Sequence, residues 1–278
     1  MAQQIGNMHL HSAKDVDYLT FPVLEQLDFI RHSFSTRVGG VSEGVFSAMN
    51  LSFNRGDPDE TVLENYRRFC DAVGYDFHKL VASAQDHHTV VRRVTSVQAG
   101  IGITKPRDLE SVDGLITNEP GVVLVTYYAD CVPLYFVDPV KKAIGLAHAG
   151  WRGTVAEMGK RTVEAMSDAF GSDPKDLIAA IGPSIGQCCY EVDDPVFAAV
   201  EKLSYIPLEA VLLPKENGRY QLNLWELNRR IIREAGVPAE QIAVGGVCTC
   251  CNHELLFSHR VMGAERGGLA AMLSIREG

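Results

Sequence analysis

The stretch GVVLVTYYADCVPLYFVDPVKKAIGLAHAG, residues 121–150, decides how this chain folds. It carries three apolar runs, GVVLVTYYAD, VPLYFVD and AIGLAHAG, and a fourth, DGLIT, precedes it at residues 113–117. The runs are rich in valine and isoleucine, too short and too punctuated for helices, and continuous enough to be strands buried on both faces. Two polar groups stand at their ends. Cys131 sits beside Asp130 where one strand gives way to the next, and His148 stands among glycines and alanines in LAHAGWRG.

Outward from this centre the signals alternate. YLTFPVL and FIRHSFSTR read as strands, and GDPDETVLENYRRFCDAVG reads as a helix, with Asp57 placed to cap it and Pro58 in its first turn. In that helix Val62, Tyr66, Phe69 and Val73 recur at helical spacing. KLVASAQ and TVVRRVTSV are short β-branched runs around DHH. TVAEMGKRTVEAMSDAFG reads as one helix, DLIAAIGPSIG as a strand entering a turn, and DPVFAAVEKL and LNLWELNRRIIREAG as helices. QIAVGG, LLFSHR and LAAMLSI close the chain as strands. No repeat or Pro/Ser linker divides it, so residues 1–278 are expected to form one domain, mixed α and β, with helices layered over sheet.

Composition narrows the function. The chain has 278 residues, 46% hydrophobic and 22% charged, with a net charge of −9 and no basic block, which argues against a nucleic-acid partner. There is no long apolar run for a membrane and no signal-peptide layout at the start. Seven cysteines, an odd number with several adjacent, suit free thiols in a reducing, cytoplasmic setting.

Most of the nine histidines need no special role. His9, His11 and His78 lie in polar stretches expected at the surface, and His32 and His259 read as satisfied core histidines. Cys131 and His148 differ, because a rigid sheet would position both at strand ends. His148 could activate Cys131 as a thiolate nucleophile. Alternatively both could bind zinc, with His87 or His88 of SAQDHHTVV as the third ligand and one position left open. Asp130, costly to bury alone, should face a partner or support a metal ligand. A rival cluster, CTCCNH, offers Cys248, Cys250, Cys251 and His253, although its spacing is not a usual zinc motif. Cys188 and Cys189 read as packing residues. Arg37, Arg152 and Arg260 each stand at an element edge near glycines, where an arginine can clamp phosphate or simply meet solvent. RGG at Arg266 is too common to carry weight.

Taken together, HSFSTRVGGVSEG, NLSFNRGD, ENYRRF, QDHHTVV, DGLIT, ADCVPLYFVDP, AHAGWRGT, IGPSIGQCCYEV and FSHR, in this order, resemble the YfiH family. That family is also called laccase-domain or polyphenol-oxidase-like, and the peptidoglycan editing factor. The resemblance implies an α+β fold, a four-layer α/β/β/α sandwich. It implies a zinc site on His87, Cys131 and His148, with His87 matching the family's Q-x-H through Gln85. Asp130 would then act beside the metal as a supporting group or proton carrier, and Arg37 or Arg152 would orient phosphate. The implied activity is phosphorolysis of adenosine, inosine and methylthioadenosine, and deamination of adenosine. Small purine nucleosides and phosphate are then the expected partners.

Two other activities compete. A cysteine hydrolase with Cys131 as nucleophile would act on peptidoglycan precursors. A copper polyphenol oxidase, with Cu2+ in place of Zn2+, is least favoured, because the only H-x-H run is His9-Leu10-His11. The chain departs from the family pattern at His88, where glycine or serine is usual. It departs again at LFSHRVMGAERGG, which lacks an arginine and an aspartate of the family's segment.

Overall fold

A computed structural model describes residues 3–108 and 110–277; Met1, Ala2, Leu109 and Gly278 lie outside the described residues. Seven strands form the first sheet, in the spatial order Gln3–Ile5, Met8–Ala13, Val16–Thr20, Ile30–Ser35, Leu269–Ile275, Val123–Tyr128 and Leu80–Ala82. Six form the second: Ile242–Val244, Ile178–Ile181, Val132–Asp138, Ala143–Ala149, Val112–Thr117 and Val90–Arg93. Both sheets mix parallel and antiparallel pairs. A three-stranded ribbon, Glu191–Val192, Tyr220–Leu222 and Leu212–Pro214, stands apart.

Period-two alternation explains why the central strands are apolar throughout. In Val132–Asp138, residues Val132, Leu134 and Phe136 face helices, while Tyr135 and Val137 face the other sheet. In Leu269–Ile275, Leu269, Ala271 and Leu273 face inward between the sheets, and Ala270 and Met272 turn outward. The outer face of the first sheet is covered by helix Asp59–Val73 through Val62, Tyr66 and Phe69. The outer face of the second is covered by Met158–Phe170 and Leu224–Glu234 through Val163, Met166, Leu227, Ile231 and Ile232. The result is the expected α/β/β/α order. Each large side chain buried this way, Phe136 for instance, contributes about 2–3 kcal/mol of transfer free energy.

Local readings diverge from the structure in five places. The expected strand YLTFPVL ends at Thr20, and Pro22–Glu25 forms a helical turn because Pro22 has the fixed φ that starts a helix. Asp57 does not cap Asp59–Val73: its carboxylate accepts from Ser42 Oγ (2.6 Å) and Asn50 Nδ2 (2.9 Å), and Pro58 is the capping residue. The single helix expected after His148 is two, Trp151–Val155 and Met158–Phe170, broken where Glu157 adopts φ 62°. LLFSHR is not a strand. Leu256 and Phe257 enter the intersheet core from a turn, and His259–Met262 form a short helix. The hairpin of Gln3–Ile5 and Met8–Ala13, finally, lies in a stretch with no strand reading. Among the described residues, no helix is long and apolar enough to cross a membrane.

Candidate active site

Antiparallel pairing in the second sheet turns residues distant in sequence into neighbours. Ala149 pairs with Val132 and His148 with Pro133, so Cys131, one step further, lies beside the end of the His148 strand. On the other side Ala147 pairs with Gly114, which brings Asp113 alongside His148. His148 is 3% exposed and Asp113 fully buried, and the imidazole Nδ1 lies 2.7 Å from Asp113 Oδ1. A carboxylate can only accept, so Nδ1 carries a proton and Nε2 is the nitrogen whose lone pair a metal would take, in exchange for any proton there.

Asp113 also shapes the loop that supplies the third group. It accepts the backbone N–H of His87 (3.1 Å) and of His88 (3.0 Å). Gln85 anchors the same loop, taking the Tyr127 N–H at 2.6 Å and donating to the Tyr127 carbonyl at 2.8 Å. His87 is held at φ 70°, a left-handed conformation uncommon for residues other than glycine. Its Nε2 then sits 3.9 Å from Cys131 Sγ. His87, Cys131 and His148 each offer one ligand atom within 4.8 Å of the others. Gly150 makes room, since a Cβ there would stand 2.9 Å from His87 Cδ2 and 3.1 Å from Cys131 Sγ.

The donors fit a metal ion. Tetrahedral zinc with one thiolate and one imidazole sets their atoms about 3.6 Å apart, close to the separation observed, and three protein ligands leave a fourth position open. Burial pushes the Cys131 thiol up, but the charge of His148 and hydrogen bonds from His148 and His87 outweigh it and lower it to about 6. Burial pushes His148 down, and the opposing pull of Cys131 and Asp113 raises it to about 9. Without metal the two therefore favour a thiolate–imidazolium pair.

A cavity of about 200 Å³ opens beside this triplet, lined by Phe53, Arg55, Gln85, Arg107, Tyr127 and Arg266 among others. Arg266 is 7% exposed, and its buried Nε has no hydrogen-bond partner. Burial, together with the charge of Arg55, pushes its guanidinium down to about 10. A second hollow, of about 330 Å³, is lined by Trp151, Tyr190, Ile185, Leu224, Arg152 and Arg260. His87 and Cys131 border both.

The other sequence-derived residues fall as follows. Asp130, at φ 85°, borders the second hollow and accepts from Thr249 Oγ1 and the Arg260 N–H, both at 2.6 Å. Arg152 lies over the Trp151 ring at 4.4 Å. Arg37 lines neither hollow: it donates to the Ser47 and His253 carbonyls and covers Phe257. His88 is exposed and bonds Ser111 and Asp86 instead of joining the triplet. His32 is a core histidine, accepting the Phe21 N–H, whereas His259 is exposed at the mouth of the second hollow.

Sequence reasoning missed Asp113, Arg55, Arg107 and Arg266. An aspartate inside the apolar run VDGLIT was the available sign for Asp113, since a buried charge needs partners. The arginines gave no such sign.

Residues 31–276 match the family model described as multi-copper polyphenol oxidoreductase laccase. The chain is 39% identical over 247 residues to the purine nucleoside phosphorylase YlmD of Bacillus subtilis, covering 88% of each chain. It is 34% identical over 251 residues to the adenosine deaminase RL5 of an unknown prokaryotic organism, covering 88% of this chain and 95% of that one. Its fold superposes on the crystal structure of YfiH from Bacillus licheniformis with a TM-score of 0.90 and 33% identity, covering 96% and 99% of the two chains. The chain belongs to this laccase-like YfiH/YlmD family.

Proposed function

We propose that the protein is a zinc-dependent purine nucleoside enzyme that phosphorolyses adenosine, inosine and methylthioadenosine and deaminates adenosine. One observation carries this reading: His87 and Cys131 of the triplet border two hollows, and each hollow combines arginines with aromatic rings, Arg55, Arg107 and Arg266 with Phe53 and Tyr127 in the first, Arg152 and Arg260 with Trp151 and Tyr190 in the second. The relatives named for phosphorylase and deaminase activity support it. The residues fit zinc, and when bound the ion supplies Lewis acidity and positive charge at the open fourth position.

The protein's own groups do the rest. Asp113 keeps His148 in the tautomer that presents Nε2 and fixes the backbone of His87. Arg266 and Arg55 hold phosphate, because an arginine buried with an unpartnered Nε beside a second cation is stabilised by an anion. Trp151 and Tyr190 offer faces to the purine, and Arg152 borders the same hollow. Asp130 supports the wall beside Cys131 by tying it to Thr249 and Arg260. Holding phosphate and nucleoside in the two hollows beside one centre aligns the nucleophile with ribose C1′.

Copper at the same triplet is the weaker choice. A His2Cys set does suit copper. A multicopper oxidase, however, needs further histidine clusters, and the only other histidine group among the described residues is His9, His11 and Glu25. The shared intersheet core supports reading residues 1–278 as one domain, and seven free cysteines support a cytoplasmic setting.

The thiolate–imidazolium pair favours a second reading, a cysteine hydrolase of peptidoglycan precursors with Cys131 as nucleophile. Adenosine and inosine, incubated with and without phosphate and followed by liquid chromatography, separate the two. Phosphate-dependent release of base, or phosphate-independent inosine from adenosine, lost in Cys131→Ala, is expected. Absence of nucleoside turnover in zinc-replete protein would overturn the nucleoside reading. Iodoacetamide should alkylate Cys131 only after chelation, whereas a free nucleophile would react at once.

A further inference from the structure

The described residues bring a second set of soft ligands together, away from the triplet. Cys188 and Cys189 lie in the turn that follows Ile178–Ile181, and Cys248 and Cys251 in the turn that follows Ile242–Val244. These two strands are parallel neighbours at the edge of the second sheet, so their outgoing turns meet. Ser184 bridges Cys248 there, with Thr249 N donating to the Ser184 carbonyl at 3.0 Å. The four Sγ atoms all lie within 4.8 Å of one another, and Cys251 Sγ is 3.5 Å from both Cys188 and Cys189.

Packing does not explain all four thiols. Cys188 and Cys251 are exposed, so the packing reading fails for Cys188; Cys189 does pack against the apolar core, and Cys248 is buried. A disulfide needs sulfurs at about 2.05 Å. Four thiolates around one zinc, at a Zn–S distance of about 2.3 Å, stand about 3.8 Å apart, near the separations found here.

At Cys248 the backbone is also arranged for thiolate. The Gly186 N–H points at Cys248 Sγ from 3.2 Å, and the Cys251 N–H faces the same sulfur. Cys248 and Cys251 form a C-x2-C pair, the spacing of zinc loops, with Cys250 skipped and turned toward the apolar core. Gly186 allows this approach: a Cβ there would meet Trp225 at 3.0 Å and Cys188 Sγ at 3.3 Å. His253 is not part of the group: its Nδ1 meets the Cys250 carbonyl, and its ring offers no ligand atom within 4.8 Å of the four sulfurs.

We propose that Cys188, Cys189, Cys248 and Cys251 hold a zinc ion as a closed, four-thiolate structural site. Binding releases the thiol protons to solvent and leaves no position for substrate. The site staples the segment of Ile185 and Tyr190, which line the second hollow, to the segment of Thr249. Tyr190 follows Cys189 directly, Thr249 holds Asp130, and Arg260 donates to the Cys189 carbonyl at 3.1 Å. The staple thus fixes the loop beside Cys131 without touching substrate.

The test begins with Cys131→Ala, which disables the triplet as a metal site. Zinc measured by mass spectrometry should remain at one ion per chain in this variant, and fall to a small fraction of that when Cys251→Ser is added. Cobalt in place of zinc should give near-ultraviolet thiolate charge-transfer absorption in the first protein and not in the second. Iodoacetamide labelling of the wild-type chain, mapped by peptide, provides a check without further substitutions. Cys188 and Cys251 should be protected until a chelator is added. Zinc-free Cys131→Ala protein, immediate labelling of Cys188 and Cys251, or a disulfide among the four in freshly isolated protein would each overturn the proposal.

Discussion

His148 and Asp113 form a buried pair, 2.7 Å from Nδ1 to Oδ1, whose carboxylate also collects the backbone N–H groups of His87 and His88. One side chain on one strand thereby sets the tautomer of a second candidate ligand and the loop conformation of a third. The three-residue group depends on a fourth residue that lines neither hollow.

Replacing Asp113 with Asn keeps its size and removes the charge that orients His148. Groups in this supporting position typically cost about 10–100-fold in metal affinity or activity. Asp113→Asn should therefore lose zinc to a chelator at about 10–100-fold lower concentration and lose kcat/KM in proportion. Unchanged metal retention would mean that the pair serves packing alone.

Gly150 borders the triplet with no side chain of its own. In Gly150→Ala the new Cβ would contact His87 Cδ2 and Cys131 Sγ, at 2.9 Å and 3.1 Å in the present positions. The φ of −67° accepts alanine without backbone strain. Metal affinity should fall while the melting temperature of the metal-free chain stays nearly constant, measured by chelator competition and circular dichroism.

Arg266 provides a test of the phosphate side. A charge-assisted hydrogen bond contributes about 1.5–3 kcal/mol, which corresponds to at least about tenfold in affinity. Arg266→Met should raise KM for phosphate by about tenfold or more and leave phosphate-independent deamination largely intact. Arg37→Ala should leave KM for phosphate unchanged, because that guanidinium is bound to the Ser47 and His253 carbonyls. Initial rates at varied phosphate decide between the two arginines.

His32 predicts a pH dependence of stability. Burial holds its pKa near 3, against 6.5 for the ordinary side chain, and its Nε2 accepts the Phe21 N–H at 2.8 Å. Between those values the unfolded chain binds a proton that the native chain does not. Stability must therefore fall as pH drops below about 6.5, by about 2 kcal/mol at pH 5 from this residue alone. His32→Gln, which keeps an acceptor but does not titrate, should show a pH 7-to-5 stability loss smaller by about that amount in urea melts.

Much of this was legible in the chain itself. The apolar runs from Val112 to Ala149 required strands buried on both faces, and alternation in Val132–Asp138 is why both sheet faces needed covering. The helix Asp59–Val73 followed from its periodicity. Cys131 and His148 could be singled out because a reactive group at the end of a buried strand is held by a rigid frame. LLFSHR misled for a related reason. Leu256 and Phe257 are apolar because they enter the core from a turn, and composition cannot tell that from a ladder.

What the sequence by itself determined was therefore the layered α and β architecture and two of the three triplet residues, since hydrophobic periodicity is a local property of the chain. Only the tertiary structure decided that Asp113 supports His148, that Arg266 rather than Arg37 faces the cavity, and that Cys188 and Cys189 meet Cys248 and Cys251. Each of these depends on strand pairing and on the meeting of loops far apart in sequence, where the energy of a charge or a thiol is set by neighbours that no local pattern specifies.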